Sequence, residues 1–251
     1  MEERRIALSR GTLVYLEHGI GPTLLFLHGG VATPRAYIPL IELLGQQFRV
    51  IAPTHPGHGD SFKLSRGWKL EDFVATYHEF FDTLALPPIP IVSHSFGGTI
   101  AYLLAHAGYA TKLYSFAPTG LPFILTPRAY LAAKKKEAKE LLAYVNDRER
   151  VAEALSGAET LLYTAVHHPE NIPWIAKRVP TIDLSRELSA LTIPVSLFWG
   201  EDDGIVPLSV GEQMHTLIAG STLTVFPGKG HTYPVTDPEF TYRKLQKVLG
   251  V

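Results

Sequence analysis

The chain has 251 residues, of which 46% are hydrophobic and 19% are charged, a composition typical of one globular domain. Its 23 lysines and arginines nearly balance its 24 aspartates and glutamates, so no basic field is present that would attract nucleic acid. The absence of cysteine excludes disulfide scaffolds, thiolate metal sites and a cysteine nucleophile.

Strand and helix patterns alternate along most of the chain. Continuous apolar runs such as TLLFL (23–27) are typical of strands that are buried on both faces. The predicted strands are two within 5–17, then 23–27, 49–52, 89–92, 112–117, 195–199 and 222–226. The predicted helices are 35–44, 70–84, 96–107, 207–218 and 237–249. This alternation predicts an α/β fold, with a mostly parallel central sheet of about eight strands flanked by helices.

The alternation is interrupted once, between Ala117 and Ile193. This segment has no strand pattern, but helical patterns occur at 127–145, 148–167 and 172–179. A lysine-rich stretch within the first of them indicates a solvated helix face. We therefore expect a helical cap at 121–185, inserted into a core formed by 1–120 and 186–251.

Residues 91–100, IVSHSFGGTI, contain two serines just after a predicted strand. In a nucleophile elbow, the serine lies on a strained turn between strand and helix. The residues two positions before and after it approach neighbouring backbone so closely that only small side chains fit. A turn centred on Ser95 places Ser93 and Gly97 at these positions, whereas a turn centred on Ser93 places Ile91 at the first. The pattern therefore favours Ser95 as the nucleophile.

The motif alone leaves other interpretations open. Serine and glycine pairs also occur in ordinary turns and helix caps. A glycine-rich turn can also bind phosphate, but neither GxxxxGK[ST] nor GxGxxG is present in the expected context. The partners of the serine must decide between these interpretations.

A nucleophilic serine needs a histidine base, and the histidine needs a carboxylate to fix its tautomer. Hydrolases with such an elbow carry these residues in the order serine, acid, histidine. Here an acidic loop, residues 201–203, follows the predicted strand 195–199, and His231 follows the predicted strand 222–226. Both lie at strand ends on the same sheet edge as Ser95, in the expected order.

The sequence resembles the α/β-hydrolase-fold superfamily of serine hydrolases almost from end to end. LHGG (27–30) resembles the family's oxyanion turn, PGHGDS (56–61) its PGxGxS loop, and SHSFGG its elbow. WGEDDGIVP (199–207) resembles its acid loop, and GKGHTYP (228–234) its histidine loop. One departure is Thr54, at a position where the family often has aspartate, which makes the floor of the pocket less predictable.

The resemblance implies a role for each matching residue. Ser95 would be the nucleophile, and His231 the general base and then the general acid. The family's acid usually lies three residues after the strand-ending glycine, here Gly200, which implies Asp203; Asp202 is the main competitor and Glu201 another. Some members carry the acid after the preceding strand instead, but that segment reads FAPTG and has no carboxylate.

The family's oxyanion hole consists of two backbone N–H groups. The resemblance assigns these groups to Phe96, directly after the nucleophile, and to Gly30, in the His-Gly turn.

The remaining histidines could have roles other than catalysis. His55, His58 and Asp60 resemble the start of a metal site, but the closing histidine of the HxHxDH motif is missing, so we expect no metal. We expect His28 to be a buried turn residue. For His94, contact with the active-site cavity and a hydrogen bond beneath the turn remain equal alternatives. His167 and His168 are expected at the surface or at a pocket rim.

The expected function is hydrolysis of small to medium carboxylic esters through an acyl-enzyme. Lactone hydrolysis, carbon–carbon bond hydrolysis, aminopeptidase action and perhydrolysis would use the same residues. Dehalogenases and epoxide hydrolases of this fold are disfavoured because they carry aspartate at the elbow. A non-catalytic ligand-binding protein of the same fold remains an alternative from a different class.

Apolar side chains of the predicted cap are expected to form its own core and to line an acyl or alcohol pocket; they include Phe123, Tyr130, Tyr144, Leu161, Leu162, Tyr163, Trp174 and Ile175. We expect a small-molecule ester as the partner, no cofactor and no nucleic acid, in a monomer or homodimer. No signal peptide is evident and no apolar run reaches ~18 residues, which favours a cytoplasmic protein without a membrane span.

Overall fold

The computed structural model describes residues 1–126, 131–133, 135 and 162–250. Within this part of the chain, eight strands form one sheet. They are β1 (Glu2–Leu8), β2 (Gly11–His18), β3 (Thr23–Leu27), β4 (Arg49–Pro53), β5 (Ile89–His94), β6 (Ala110–Phe116), β7 (Val195–Gly200) and β8 (Thr222–Phe226). The predicted α/β-hydrolase fold with a mostly parallel sheet of about eight strands is confirmed.

The strands are ordered β1-β2-β4-β3-β5-β6-β7-β8. The β1–β2 and β2–β4 pairs are antiparallel, and all later pairs are parallel. The chain moves outward from β3 to β4 on one side and then continues from β5 on the other side. The β3–β5 boundary is therefore a topological switch point, where α/β proteins usually bind their ligands.

The sheet separates two hydrophobic cores because successive strand residues point to opposite faces. In β3, Leu25 and Leu27 pack in one core, and Leu24 and Phe26 pack in the other. All four side chains are almost completely buried. This two-sided burial explains why the strand sequences are continuously apolar rather than alternating.

Helices cover both faces of the sheet. The described helices are α1 (Ile38–Gly45), α2 (Leu70–Thr83), α3 (Phe96–His106), α4 (Asn171–Arg178), α5 (Ser185–Ser189), α6 (Leu208–Leu217), α7 (Tyr233–Thr236) and α8 (Pro238–Leu249). Helices α2, α3, α5 and α6 contribute to the core that contains Leu25, whereas α1 and α8 contribute to the core that contains Phe26. Among the described residues, no helix is long and apolar enough to cross a membrane.

The structure differs from the sequence predictions mainly at element boundaries. The predicted helix at 35–44 is divided into a 3-10 turn (Pro34–Tyr37) followed by α1. The short helices α5 and α7 were not predicted. The predicted cap helices at 127–145 and 148–167 lie mostly outside the described residues, although residues 162–167 are helical. The division into core and cap segments therefore stays a prediction.

A cluster of buried histidines lies where β3 and β4 end. The rings of His28 and His55 are 3.9 Å apart, and those of His28 and His58 are 5.1 Å apart. Each ring has one tautomer that suits its neighbours. His28 Nε2 accepts from the His55 N–H (2.9 Å), and His55 Nε2–H donates to the His28 carbonyl (2.9 Å). The Tyr77 hydroxyl donates to His55 Nδ1.

His58 is held in the same manner. Its Nδ1–H donates to the Pro56 carbonyl (3.0 Å), and its Nε2 accepts from the Val31 N–H (3.1 Å). Burial lowers the pKa of His58 to about 3 and that of His55 to about 4, with His55 further lowering the pKa of His58. Burial also lowers the pKa of His28 well below its usual value, so all three histidines are neutral structural groups. Among the described residues, no three such side chains are arranged so that they could hold a metal ion.

The neutral His58 makes stability depend on pH. The pKa of an unfolded histidine is about 6.5, so below this pH the unfolded chain binds a proton that folded His58 does not. The contribution of neutral His58 to the free energy of unfolding is therefore fully present above pH ~6.5. It falls by about 1.4 kcal/mol per pH unit as the pH decreases from there towards the folded pKa. We expect His58→Gln to make the free energy of unfolding fall less steeply between pH 6.5 and 4, as measured by urea denaturation.

The control is His106→Gln, which changes an exposed histidine at the end of α3. This variant should keep the wild-type slope. Equal slopes for His58→Gln and wild type would show that His58 is not the group that titrates.

Candidate functional site

The candidate site lies at the carboxyl ends of β3 and β5, on the two sides of the switch point. The registers place Leu27 opposite Ser93 in these paired strands. The turns that follow the two strands therefore meet at one edge of the sheet. The loops after β7 and β8 reach the same edge.

Ser95 lies in the sharp turn between β5 and α3. Its backbone has φ 52° and ψ −121°, a conformation that L-residues rarely adopt and that costs about 1–3 kcal/mol. Hydrogen bonds offset this cost: the Ser95 N–H donates to the Phe116 carbonyl (2.9 Å), and the Ser95 carbonyl accepts from the Gly98 N–H (2.9 Å) and the Thr119 N–H (3.0 Å). Ser95 is partly exposed, in contrast to the buried residues around it.

The turn needs small residues on both sides of Ser95. A Cβ added to Gly97 would lie 2.3 Å from the Leu27 carbonyl oxygen and 2.6 Å from that of His28. Such contacts with backbone do not occur in proteins, so α3 is able to begin here only with glycine at this position. On the other side, Ser93 is fully buried, and its hydroxyl is hydrogen bonded to that of Ser115 (3.0 Å).

The turn 27–30 after β3, which we call the oxyanion turn after its predicted role, lies against the start of α3. A Cβ on Gly30 would lie 3.5 Å from the Cβ of Phe96, and a Cβ on Gly29 would lie 3.4 Å from that of Ser95. The backbones of Gly30 and Phe96, the two predicted oxyanion donors, are therefore adjacent and next to Ser95.

Asp203 and His231 are brought together from separate loops. His231 Nδ1 is 2.7 Å from Asp203 Oδ2, and the Asp203 side chain is fully buried. The other carboxylate oxygen, Asp203 Oδ1, accepts from the N–H groups of Ile205 and Val206, each at 2.9 Å. Because the carboxylate only accepts, Nδ1 carries the proton and Nε2 is left as the basic nitrogen of the neutral ring.

The competing acids lie elsewhere in the same loop. Glu201 and Asp202 are exposed, and the Asp202 N–H donates to the Lys229 carbonyl (3.0 Å). The structure thus brings Asp203, of the three acids, into contact with His231. No hydrogen bond joins Ser95 to His231 in the described part of the chain. Such bonds are often long in free enzymes and tighten when substrate binds.

His94, the residue before Ser95, bridges the two halves of the site. His94 Nε2 donates to the His231 carbonyl (3.0 Å), so Nδ1 is unprotonated and accepts from the Tyr37 hydroxyl (2.6 Å). The Tyr37 oxygen in turn accepts from the Gly29 N–H (3.2 Å). A single continuous chain of hydrogen bonds therefore connects the oxyanion turn with the main chain of His231.

The groups of this chain stay uncharged at neutral pH. Burial lowers the pKa of His94 well below its usual value, and the proximity of His231 lowers it further. Burial also raises the pKa of the Tyr37 hydroxyl. His94 therefore forms a hydrogen bond beside the turn, which was one of its two predicted alternatives. Nothing in the sequence pointed to Tyr37, which has the pattern of an ordinary core aromatic.

Helix α4 covers the oxyanion turn. Two side-chain carbons of Ile175 lie 3.2 Å from the position of a Cβ on Gly30. The Trp174 ring lies 5.8 Å from the ring of Phe96. These two residues, predicted as apolar members of the cap, form a roof over the candidate oxyanion hole.

Four side chains from 163–174 attach this roof to the loop 57–68. Asn171 Nδ2 donates to the Gly57 carbonyl (2.8 Å), His168 Nε2 to that of Gly59 (2.7 Å), Trp174 Nε1 to that of Trp68 (3.0 Å), and the Tyr163 hydroxyl to Asp60 (2.6 Å). His168, expected at the surface or at a pocket rim, is 3% exposed and so does not lie at the surface; its Nδ1 has no hydrogen-bond partner among the described residues. His167 is exposed, as predicted.

Comparison with known proteins identifies the family. The model of the alpha/beta hydrolase family matches residues 24–244, and the chain belongs to this family. A 2-(acetamidomethylene)succinate hydrolase of Mesorhizobium japonicum is 26% identical, with the alignment covering 96% of this chain and 93% of that protein. A pimeloyl-[acyl-carrier protein] methyl ester esterase of Vibrio vulnificus is 25% identical, covering 92% and 96%.

Among solved structures, the esterase RhEst1 from Rhodococcus sp. ECU1013 has the same fold. It has a TM-score of 0.80 at 21% identity, and the match covers 100% of this chain and 99% of the esterase. The family match and the names of the relatives together establish that this chain is a hydrolase.

The contact between Asp203 and His231 predicts which of the acidic residues is needed for activity. In Asp203→Asn, the amide oxygen can still accept from Ile205 and Val206, but its N–H₂ faces His231 and forces the imidazole into the wrong tautomer. We expect kcat for hydrolysis to fall by about 10⁴-fold. The matched variant Asp202→Asn, in an exposed residue, should stay within about twofold of wild type. A comparable loss in both variants would contradict the assignment of the acid to Asp203.

Proposed function

We propose that this protein is a serine hydrolase that cleaves small to medium carboxylic esters through Ser95, His231 and Asp203. The main support is the strained backbone of Ser95 (φ 52°) at the tip of β5, beside the oxyanion turn. A strained residue that is not glycine, in a turn so tightly packed, indicates a functional constraint on the side chain that it presents.

In the proposed first half-reaction, Ser95 Oγ attacks the ester carbonyl carbon while His231 Nε2 takes the hydroxyl proton. The negative charge that develops on the carbonyl oxygen is stabilised by the N–H groups of Gly30 and Phe96, each worth about 3 kcal/mol in comparable hydrolases. The tetrahedral intermediate then releases the alcohol, which receives its proton from His231. The acyl group remains on Ser95.

In the second half-reaction, His231 Nε2 takes a proton from water, and the resulting hydroxide attacks the acyl carbon. The carboxylic acid leaves, and the proton returns from His231 to Ser95 Oγ. Asp203 remains ionised throughout and stabilises the imidazolium that forms in each step. The chemistry needs no cofactor.

The esterase from Vibrio vulnificus supports the ester as substrate, since it aligns over nearly the whole chain. The succinate-derivative hydrolase from Mesorhizobium japonicum aligns equally far, so relatives of similar identity act on different substrates. Cleavage of lactones, carbon–carbon bonds or amides would use the same catalytic residues. A panel of p-nitrophenyl esters, lactones and aminoacyl amides distinguishes these activities.

The first test is turnover of p-nitrophenyl acetate and butyrate by the purified protein. We expect Ser95→Ala to lower kcat by about 10³-fold or more, because it removes the attacking oxygen. Ser93→Ala is the matched control: it removes a buried hydroxyl bonded to Ser115 and should lower stability more than rate. Wild-type activity in Ser95→Ala would falsify the assignment of Ser95 as the nucleophile. A wild-type protein that shows neither a burst nor turnover would instead favour a ligand-binding protein.

The hydrogen-bonded chain through His94 predicts a positioning effect on the same reaction. His94→Phe should lower kcat by about tenfold to a hundredfold with a smaller change in KM, because the main chain of His231 loses its anchor. Tyr37→Phe should act in the same direction, since it breaks the chain one bond away. The double variant should lower kcat little more than one single variant does, because the His94 imidazole and the Tyr37 hydroxyl act as a unit.

Tyr114→Phe provides the control for the loss of a buried tyrosine hydroxyl, which here bonds to the Val248 carbonyl far along the chain. It should lower the melting temperature and leave kcat unchanged. If Tyr37→Phe and His94→Phe change only the melting temperature, the hydrogen-bonded chain has a purely structural role.

A further inference from the structure

A cavity of about 540 Å³ lies between the loop 63–68 and helix α4, outside the proposed catalytic residues. Trp68 and Trp174 line it, and they are two of the three tryptophans of the chain. The cavity therefore offers aromatic walls of the kind that bury the apolar body of a small ligand.

One wall of the cavity carries a hydrogen-bond donor without a partner. Trp68 is 5% exposed, and its indole Nε1 is buried with no acceptor in the described part of the chain. A buried N–H group left unpaired costs about 1–3 kcal/mol. The indole nitrogen has almost no solvent-accessible surface, so the cavity is bounded by the ring of Trp68 and the proposed site does not depend on this N–H.

The charges around the cavity are mainly positive. Lys63, Arg66 and Arg178 line it, against the single carboxylate of Glu170. Glu170 Oε1 lies 3.6 Å from His168 Nδ1. None of the three cations has a carboxylate within 4.0 Å among the described residues, although the whole chain has a net charge of −1. This local excess of positive charge attracts an anion.

The cavity is separated from the candidate active site by one indole ring. Trp174 lines the cavity and also lies 5.8 Å from the ring of Phe96, whose backbone N–H is a proposed oxyanion donor. A ligand in the cavity is therefore close to the reacting end of any substrate bound at Ser95.

We propose that this cavity binds an organic anion, whose carboxylate or phosphate lies among Lys63, Arg66 and Arg178 and whose apolar body lies between Trp68 and Trp174. Two sources supply this chemistry. One is the distal end of an ester substrate, in which case the inference rests on the proposed function. The other is a separate anionic ligand, which is independent of that function.

The binding experiment uses intrinsic tryptophan fluorescence of the full chain. Trp68 and Trp174 report on the cavity, whereas Trp199 is fully buried in the core. We expect 4-phenylbutyrate to change the fluorescence saturably and its neutral analogue 4-phenylbutyramide to bind about tenfold or more weakly. Added salt should weaken binding of the anion, because it screens exposed charges.

Two arginine variants test the recognition of the charge. Arg66→Gln and Arg178→Gln should each raise the Kd for 4-phenylbutyrate about twofold to fivefold, the effect of one exposed ion pair. The control is Arg243→Gln, which removes an exposed arginine paired with Glu239 on α8. Equal affinity for the acid and the amide, or an unchanged Kd in both arginine variants, overturns the proposal.

Kinetics then separate the two sources. If the cavity binds the distal end of a substrate, mono-4-nitrophenyl adipate should have a lower KM than 4-nitrophenyl hexanoate, and Arg66→Gln should abolish the difference. If the cavity takes a separate ligand, the two esters have equal KM and the fluorescence response persists. If neither ester is turned over, the proposed function fails, but the fluorescence experiment still tests the anion site.

Discussion

The close packing of α3 against the end of β3 is the constraint on which the rest of the structure depends. Gly97 approaches the carbonyl groups of Leu27 and His28 so closely that even one methyl group has no space. This contact fixes where α3 begins, and therefore forces the chain through the strained conformation of Ser95. It also holds the oxyanion turn beside the same residue.

The site is further defined by hydrogen bonds that allow only one arrangement of protons. Around His94, the carbonyl of His231 can only accept, and this requirement fixes the tautomer of His94 and then the direction of the Tyr37 hydroxyl. The same reasoning applies to His28, His55 and His58, whose nitrogens are bonded mainly to backbone groups. Histidines of this kind orient loops, whereas His231 is hydrogen bonded to a fully buried carboxylate and its Nε2 has no hydrogen bond among the described residues.

Much of the fold could be predicted because burial on both faces leaves an unmistakable pattern. The strand Thr23–Leu27 was predicted with its observed limits, since every residue after the first is buried in one core or the other. Short helices such as Tyr233–Thr236 were missed because four residues are too few to show a helical period. The strand pattern also placed Ser95 and His231 at one sheet edge.

Other features of the site depend on contacts that sequence spacing does not encode. The resemblance to a family favoured Asp203 over Asp202, but only the fold shows which of these neighbouring carboxylates turns inward to His231. Tyr37 could not be identified because its partners come from separate parts of the chain, Gly29 from the turn after β3 and His94 from the end of β5. The burial of His168 could not be predicted, because a polar side chain in an insertion normally faces water and the acceptor of its Nε2–H lies in a distant loop.

The attachment of the roof has a consequence for how this protein tolerates change. Among the described residues, three of its four side-chain hydrogen bonds to the loop 57–68 end on main-chain carbonyls, those of Gly57, Gly59 and Trp68. In these three bonds the loop contributes its backbone and the roof contributes the side chains; the fourth joins the Tyr163 hydroxyl to the Asp60 carboxylate. A roof segment from another protein therefore needs three donors at the same spacing in order to dock, and such an exchange leaves the loops that carry Ser95, Asp203 and His231 unchanged.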